Sequence, residues 1–576
     1  MDEETLKDFE ELFDFDASKK QLILNKIITD DIITGDKIDI SEDVYKDTSI
    51  DKWISKLPVL EGSQILIEKL VRHPINDKEL LVKRQNTLIT YDIDIEILKE
   101  YENDILWIYK IAEEINNNSS IEILFPSTFI ISYINYIEQV LDIYHLYKIY
   151  FTPATSILYP LSTFIAPYVY LKNYLKMNIT FTSYIEIFYN IIVLMFKTTG
   201  NFRADIMKFV SIFMYVGVYL YNMYQTYEIA LFLHNTKYKL HAKMQGLVHF
   251  VRHSQNIMKN LPSNIIAPYF NIKETYQRIS IHNSMTDIYR IWKDDALKND
   301  ISSLLKTIYA VDAIDTINKL LLSREWSSVS YSTQTIFWDA KNPILKNEQV
   351  ANPVNLNKNI IVTGPNAGGK TTYVKTILAN VILGHTIGIT YSLRSQMILY
   401  DTINSFMRVS DILGTRSYFE AEAEYCLNMI KKAVDISATQ KKGLFLMDEP
   451  MHSTPPTEGM ATAYAVIEYL SKLNGITLII TTHFHKLVKL EELYPDRFIN
   501  LSVDAIAVNA ANAAKAAKTD TSSPNNKTQY IFPYKIRRGY SYLCIAIELL
   551  DIKEFPPVII ENAIKMKNKI CNDFNK

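Results

Sequence analysis

The chain has 576 residues, enough for at least two domains with large cores. Its formal net charge is −3, so no global basic field announces a nucleic-acid partner, and any such contact must come from local patches. The three cysteines, Cys426, Cys544 and Cys571, have no paired spacing, which argues against a zinc module and fits a reducing intracellular compartment, cytoplasm or nucleus.

Residues 1–58 read as an acidic leader, and an acidic amino terminus is not a secretory signal. Further on, residues 125–233 form a hydrophobic insert. Ile149 to Leu171 and Phe209 to Tyr227 carry no charge, and Met177 to Phe196 carries only Glu186. Each stretch is near the ~20 residues that cross a bilayer. Pro153, Pro160 and Pro167 would break the first as a soluble helix, whereas membrane helices tolerate proline better. Frequent Tyr, Ser, Thr and Asn count against spanning. Two readings stay open, a buried helical core and membrane association through 149–227. Lys237, Lys239, Lys243, Arg252 and His253 then form a modest basic cluster, read either as a DNA contact or as a solvated helix face.

Asn359 to Thr363 is an apolar run suited to a buried strand, and 372–383 is a helix candidate. Between them stands Gly364-Pro365-Asn366-Ala367-Gly368-Gly369-Lys370-Thr371. Strand, glycine-rich loop and helix make the setting of a phosphate-binding loop. The glycines let backbone N–H groups curl around phosphates, and the helix N-terminus adds its dipole. Lys370 would reach the phosphates, and the Thr371 hydroxyl would ligate Mg²⁺. Leu444 to Met447 reads as a parallel strand ending in Asp448-Glu449. Asp448 would hold the Mg²⁺ shell, and Glu449 would polarise the attacking water. A third strand, Thr477 to Thr482, ends at His483, placed to touch the γ-phosphate. The segment 505–527 is Ala-, Asn- and Lys-rich and lies between two strand-like runs. It is predicted to be a disordered low-complexity insertion in a hairpin loop.

Five elements in order resemble the MutS mismatch-repair ATPases. They are Asn352-Pro353-Val354-Asn355-Leu356 with Thr363 to Tyr373; Arg408, Asp411 and Gly414 with Ser417-Tyr418-Phe419-Glu420-Ala421-Glu422; Asp448-Glu449-Pro450 to Gly459; Thr482-His483-Phe484; and Tyr534-Lys535-Ile536 with Gly539, Tyr540 and Ser541. More weakly, Gly62 to Gln85, including His73-Pro74-Ile75-Asn76-Asp77 and Lys83-Arg84-Gln85, resembles the start of the family's lever domain. Lys237 to Arg252 and Leu304 to Leu322 resemble its returning helices.

The resemblance implies an α/β P-loop (ABC-type) ATPase domain over 336–576 and a mostly α-helical lever-like domain over 59–335. It implies ATP and Mg²⁺ as cofactors and DNA as partner. It also implies a homodimer whose composite sites each receive Ser417 from the other subunit. The nucleotide-binding set is Gly364, Pro365, Asn366, Ala367, Gly368, Gly369, Lys370, Thr371, Thr372 and Ser417. Thr371 and Asp448 serve the metal, and Glu449 and His483 are catalytic. The alternative is a membrane-associated MutS-derived ATPase with a partner other than mismatched DNA.

Three departures bear on this. The family's signature Ser-Thr is Ser417-Tyr418 here. Its D-E-x-G-R-G is Asp448-Glu449-Pro450-Met451-His452-Ser453, and Gln349 stands near the place of an adenine-stacking aromatic. They leave the phosphate chemistry intact and bear on turnover rate and base stacking. The family's amino-terminal mismatch-reading domain finds no counterpart in the acidic leader, where Phe9-Glu10 and Phe13-Asp14 are poor wedges for anionic DNA. DNA contact without wedge-type mismatch reading is the expectation.

Overall fold

The computed structural model describes residues 15–574, apart from 88–92, 115–123, 129–131, 346–347, 408–417, 509–528, 544–546, 551–552 and the single positions 199, 263, 454, 542 and 549. The chain divides into two units. One joins the residues up to Ile27 with Asp94–Asn260 and Lys273–Leu305; the other joins Ile28–Ile93 with Leu261–Ile272 and Lys306–Lys576. This division cuts the chain differently from the boundaries expected at residues 58 and 335. Much of the segment read as leader and lever start belongs with the α/β sheet instead.

The first unit is helical. Its described helices are α1 (Ala17–Ile27), α2 (Glu96–Glu114), α3 (Glu138–Leu146), α4 (Thr152–Val169), α5 (Phe181–Phe196), α6 (Phe202–Lys259), α7 (Met285–Lys293) and the start of α8 (Asp295–Leu322). The second half of α6 packs along α2, burying Leu233, Leu240, Met244, Leu247 and Phe250. This apolar spacing of three, four and seven residues is a helix stripe facing a core. Lys243 pairs with Asp104 at 2.6 Å and Lys237 with Asp142 at 2.8 Å, so two members of the basic cluster are in ion pairs.

The first half of α6 differs. With α3 and α4 it forms an arm whose apolar side chains face outward: Phe213 is 85% exposed, Met214 64% and Tyr215 67%. A buried core was one of the two expectations for 149–227, and the structure overturns it. Among the described residues no second apolar layer covers these faces, and none of α4 is buried.

In the second unit, β1 (Asp39–Ile40), β2 (Asn359–Thr363), β3 (Thr402–Phe406), β4 (Gly443–Asp448), β5 (Ile476–Thr481), β6 (Phe498–Val503) and β7 (Ile536–Arg538) form one sheet. Their order is β1-β3-β4-β5-β2-β6-β7. Every pairing is parallel except β6 with β7. The inner strands are continuous apolar runs, as sheets covered on both faces require. Ile360, Ile361, Val362, Leu444, Phe445 and Leu446 are fully buried. The helices α9 (Lys370–Thr386), α10 (Tyr418–Ala438) and α11 (Pro456–Lys472) follow β2, β3 and β4 as crossovers. The short strands Ile506–Val508 and Gln529–Ile531 pair as a hairpin around the low-complexity segment, whose residues 509–528 lie outside the described ones.

The 28–93 segment is held to the carboxyl end of α9 and the residues around it by side chains from the motifs read in the sequence. The Arg84 guanidinium is fully buried and donates to the carbonyls of Pro268 (3.0 Å), Thr34 (2.8 Å) and Thr386. The Gln85 amide donates to the carbonyls of Val329 (2.9 Å) and Gly388 (2.6 Å). His385, on α9, donates from Nδ1 to the Ile75 carbonyl at 3.0 Å and accepts the Tyr400 N–H on Nε2 at 3.2 Å.

Candidate functional site

The loop from Gly364 to Gly369 leaves the carboxyl end of β2 and enters α9. Its backbone explains its composition. Gly364 has φ +140, and a Cβ there would lie 2.2 Å from the Val503 carbonyl oxygen; Gly369 has φ +96. Only glycine meets both demands at low cost. Ala367 also sits at positive φ. The loop therefore turns tightly into the amino-terminal end of α9, an anion-favouring helix end.

Lys370, 5% exposed, folds back so that Nζ donates to the Gly364 carbonyl at 2.9 Å. The Thr371 hydroxyl donates to Asp448 Oδ2 at 2.9 Å. Asp448 ends β4, and its other carboxylate oxygen accepts from Thr481 Oγ1, the last residue of β5. Glu449 follows in the left-handed region, at φ +54, with its N–H held by the Thr481 carbonyl at 3.1 Å. That turn aims the Glu449 carboxylate at His483, whose Nε2 lies 2.5 Å from Oε1. The Lys370 ammonium is 3.6 Å from the same carboxylate oxygen and 3.2 Å from the same ring nitrogen.

These contacts fix a tautomer. Two acceptors do not approach to 2.5 Å, so Nε2 of His483 carries a proton and donates it to Glu449. Lys370 then donates to the loop carbonyl and not to the imidazole. The His483 hydrogen bond is also the main reason the Glu449 carboxyl is held below the ordinary glutamate range; burial opposes it, and the Lys370 ammonium acts in the same direction as the hydrogen bond. Glu449 is therefore an anion at neutral pH.

Of the sequence-derived site residues, the structure brings Gly364 to Thr372, Asp448, Glu449 and His483 to the carboxyl ends of three adjacent strands. Ser417, with Arg408, Asp411 and Gly414, lies outside the described residues, as do Phe9 and Phe13. Two side chains were not foreseen as site residues. Glu422, buried on α10, accepts the N–H groups of His452 (3.2 Å) and Ser453 (3.3 Å) and so shapes the turn after Glu449. Tyr534 stands against Gly369, its ring 3.1 Å from where a Cβ there would be. With Asn342, Gln349, Val350, Thr372 and Tyr373 it lines a cleft of about 820 Å³ beside the loop. Gln349 does not project freely into it: its amide accepts from the Asn342 N–H (2.7 Å) and donates to the Asn342 carbonyl (2.9 Å). The sequence signal for Glu422 and Tyr534 was their place in the family segments, without a role attached.

The residues present fit a nucleotide with Mg²⁺. Thr371 Oγ1 and an Asp448 carboxylate oxygen converge at 2.9 Å, a hard oxygen pair beside a loop lined with N–H donors and one lysine. Mg²⁺ is commonly held by one or two such protein oxygens together with phosphate.

The fold and site thus define a mainly parallel α/β domain with an anion cradle at its strand ends, preceded by helices. Residues 360–571 match the family model of MutS domain V, and the carboxy-terminal half of the chain is MutS-like. The DNA mismatch repair protein MSH3 of Meyerozyma guilliermondii is 28% identical over 292 residues, covering 47% of this chain and 28% of that protein. The DNA mismatch repair protein MutS of Clostridium botulinum is 28% identical over 303 residues (49% and 30%), and that of Listeria monocytogenes is 24% identical over 330 residues (54% and 35%). The chain spans about a third of the length of these relatives.

Proposed function

We propose that this protein is a Mg²⁺-dependent ATPase of MutS type that couples nucleotide turnover, at sites shared between two subunits, to DNA binding. The observation that carries the reading is the convergence of Lys370, the Thr371–Asp448 pair and the Glu449–His483 pair at adjacent strand ends. In this reading, Lys370 exchanges the Gly364 carbonyl for a phosphate oxygen. Thr371 and Asp448 hold Mg²⁺, which when bound neutralises phosphate charge. Glu449, kept anionic, orients the attacking water, and His483 fixes the carboxylate by its hydrogen bond. Tyr534 and the cleft beside it receive the base. Ser417 completes the partner's site. In this reading DNA is contacted through its phosphates and shape.

Glu449→Gln tests the reading. It preserves shape and removes the charge, so ATP binding stays within about twofold while turnover falls by ~10²-fold or more. Wild-type turnover in Glu449→Gln refutes the assignment. Lys370→Ala should instead weaken binding itself, since a charge-assisted phosphate contact is lost.

A second reading sets the same ATPase at a membrane. The observation favouring it is the outward-facing apolar surface of the α3–α6 arm.

A further inference from the structure

The arm carries more information than exposure alone. Tyr219 of α6 donates to the Ser156 carbonyl of α4 at 3.0 Å, and lower down Lys237 pairs with Asp142 at 2.8 Å. The helices α3–α4 and α6 therefore run antiparallel. That register sets the uncharged stretch Ile149 to Leu171 beside the uncharged stretch Phe209 to Tyr227. At one end of both lie Lys148 and Glu228; at the other lie Lys172, Arg203, Asp205 and Lys208. At 1.5 Å per residue the stretches are about 34 Å and about 28 Å long, against a hydrocarbon thickness of about 30 Å. Two charge-free segments of bilayer length, aligned with each other and bounded by charge at matching levels, are not a requirement of a water-exposed arm.

The polar groups inside these stretches are handled as a membrane demands. Hydroxyls bond back to carbonyls of their own helix: Thr155 to Thr152 (2.9 Å), Ser156 to Pro153 (2.8 Å), Ser162 to Tyr159 (2.7 Å), Thr163 to Pro160 (2.7 Å), Ser211 to Met207 (2.8 Å) and Thr226 to Asn222 (2.7 Å). Pro160 cannot donate to the Ser156 carbonyl, and Tyr219 donates there instead, as a backbone group freed in hydrocarbon requires. The helix α5 meets the far part of the hairpin at both ends. Its start packs on Phe164 and Tyr168, and the carbonyls of Leu194 and Lys197 accept from Lys208 Nζ at 3.2 and 3.0 Å. It therefore crosses the tip and does not run the length of the arm.

We infer that α4 and the first half of α6 cross a lipid bilayer as an antiparallel two-helix hairpin, with α5 lying in the far interface. The inference rests on the membrane reading above and is independent of the ATPase assignment. The occupant is lipid because, away from the contact between the helices and the strip under α5, the apolar side chains of both stay exposed over one bilayer thickness and stop where the charges begin. An even number of crossings leaves the segments before α3 and after α6 on one face. The tip cations Lys172, Lys176, Lys197, Arg203 and Lys208 sit among headgroups on the other.

The test uses the full chain, purified in detergent and reconstituted into phosphatidylcholine vesicles, with an epitope inserted after Asn178 in the tip loop. The expected result is co-flotation that survives alkaline carbonate, and an epitope protected from protease until the vesicles are opened, in the population whose ATPase domain is digested. Leu158→Arg with Val216→Arg, which places charge mid-hairpin, should reduce co-flotation at least tenfold, while Leu22→Arg, on an exposed apolar residue of α1, should not. Flotation with an epitope open to protease from the same side as the ATPase domain overturns the hairpin and leaves membrane binding standing. A detergent-free monodisperse protein that does not float, whether monomer or a dimer covering its own arm, overturns both. ATP turnover measured on the same preparation reports separately on the ATPase reading.

Discussion

His385 gives a prediction whose size follows from the structure. Its ring is fully buried, Nδ1 is committed as donor to Ile75, and Nε2 is committed as acceptor from Tyr400. A second proton would have to enter at Nε2, against an N–H. Burial accordingly pushes the imidazole pKa down from 6.5 to about 4. The unfolded chain then binds a proton that the folded chain refuses. This group's contribution is complete above pH 6.5 and is lost progressively as the pH falls toward 4. Roughly 2.5 units at 1.36 kcal/mol each is on the order of 3 kcal/mol. The assay is urea unfolding from pH 7.5 to 4, comparing the protein with His385→Gln so that all other titrations cancel. The variant should be the less stable protein at pH 7.5, because a donor and an acceptor are disturbed. The gap should shrink by about 3 kcal/mol by pH 4. A gap constant to within roughly 0.5 kcal/mol over that range would refute the reasoning.

Arg84→Ala should destabilise the α/β unit by at least about 3 kcal/mol, because three buried carbonyls lose their donor, and Arg84→Lys should recover little since one ammonium cannot reach all three; thermal unfolding measures both. Mixing Ser417→Ala subunits with Lys370→Ala subunits should restore one working site per dimer, and no recovery in dimers confirmed by mass would count against a shared site. Titrating matched, mismatched and four-way-junction DNA at two salt concentrations should show steep weakening with salt and less than a tenfold mismatch preference, about 1.4 kcal/mol. A larger preference would mean that bases are read directly.

The phosphate loop and the strand ends were legible in the sequence because their chemistry is local. A glycine forced by the Val503 carbonyl, a lysine one step into a helix and two carboxylates at the end of an apolar run all show in short windows. The strands at 359–363, 443–448, 476–481 and 498–503 fell where the apolar runs put them. The allegiance of residues 28–93 was not legible. It depends on Arg84, Gln85 and Ile75 meeting carbonyls and a histidine some 300 positions away, which no periodicity records. Nor could the sequence choose between core and membrane for 149–227. Uniform apolarity gives the same pattern whether protein or lipid is the cover, and only the exposure of these side chains in the folded chain speaks against a core.

The strand β1 has a consequence for how the chain is made. The pairing of β1 with β3 and the contact of Asp47 with Ser405 join residues 358 to 363 positions apart. At about 5–20 residues per second, a ribosome needs some 20–70 s to supply the second half of that contact. Throughout that interval Val44 and Tyr45, on the helix that packs against β3 and buried in the finished protein, lack that part of their cover. The usual order, in which the amino-terminal part folds first and alone, is closed to residues 28–93. A polypeptide cut short before β3 lacks the partner strand of β1 and exposes the apolar face that β3 covers.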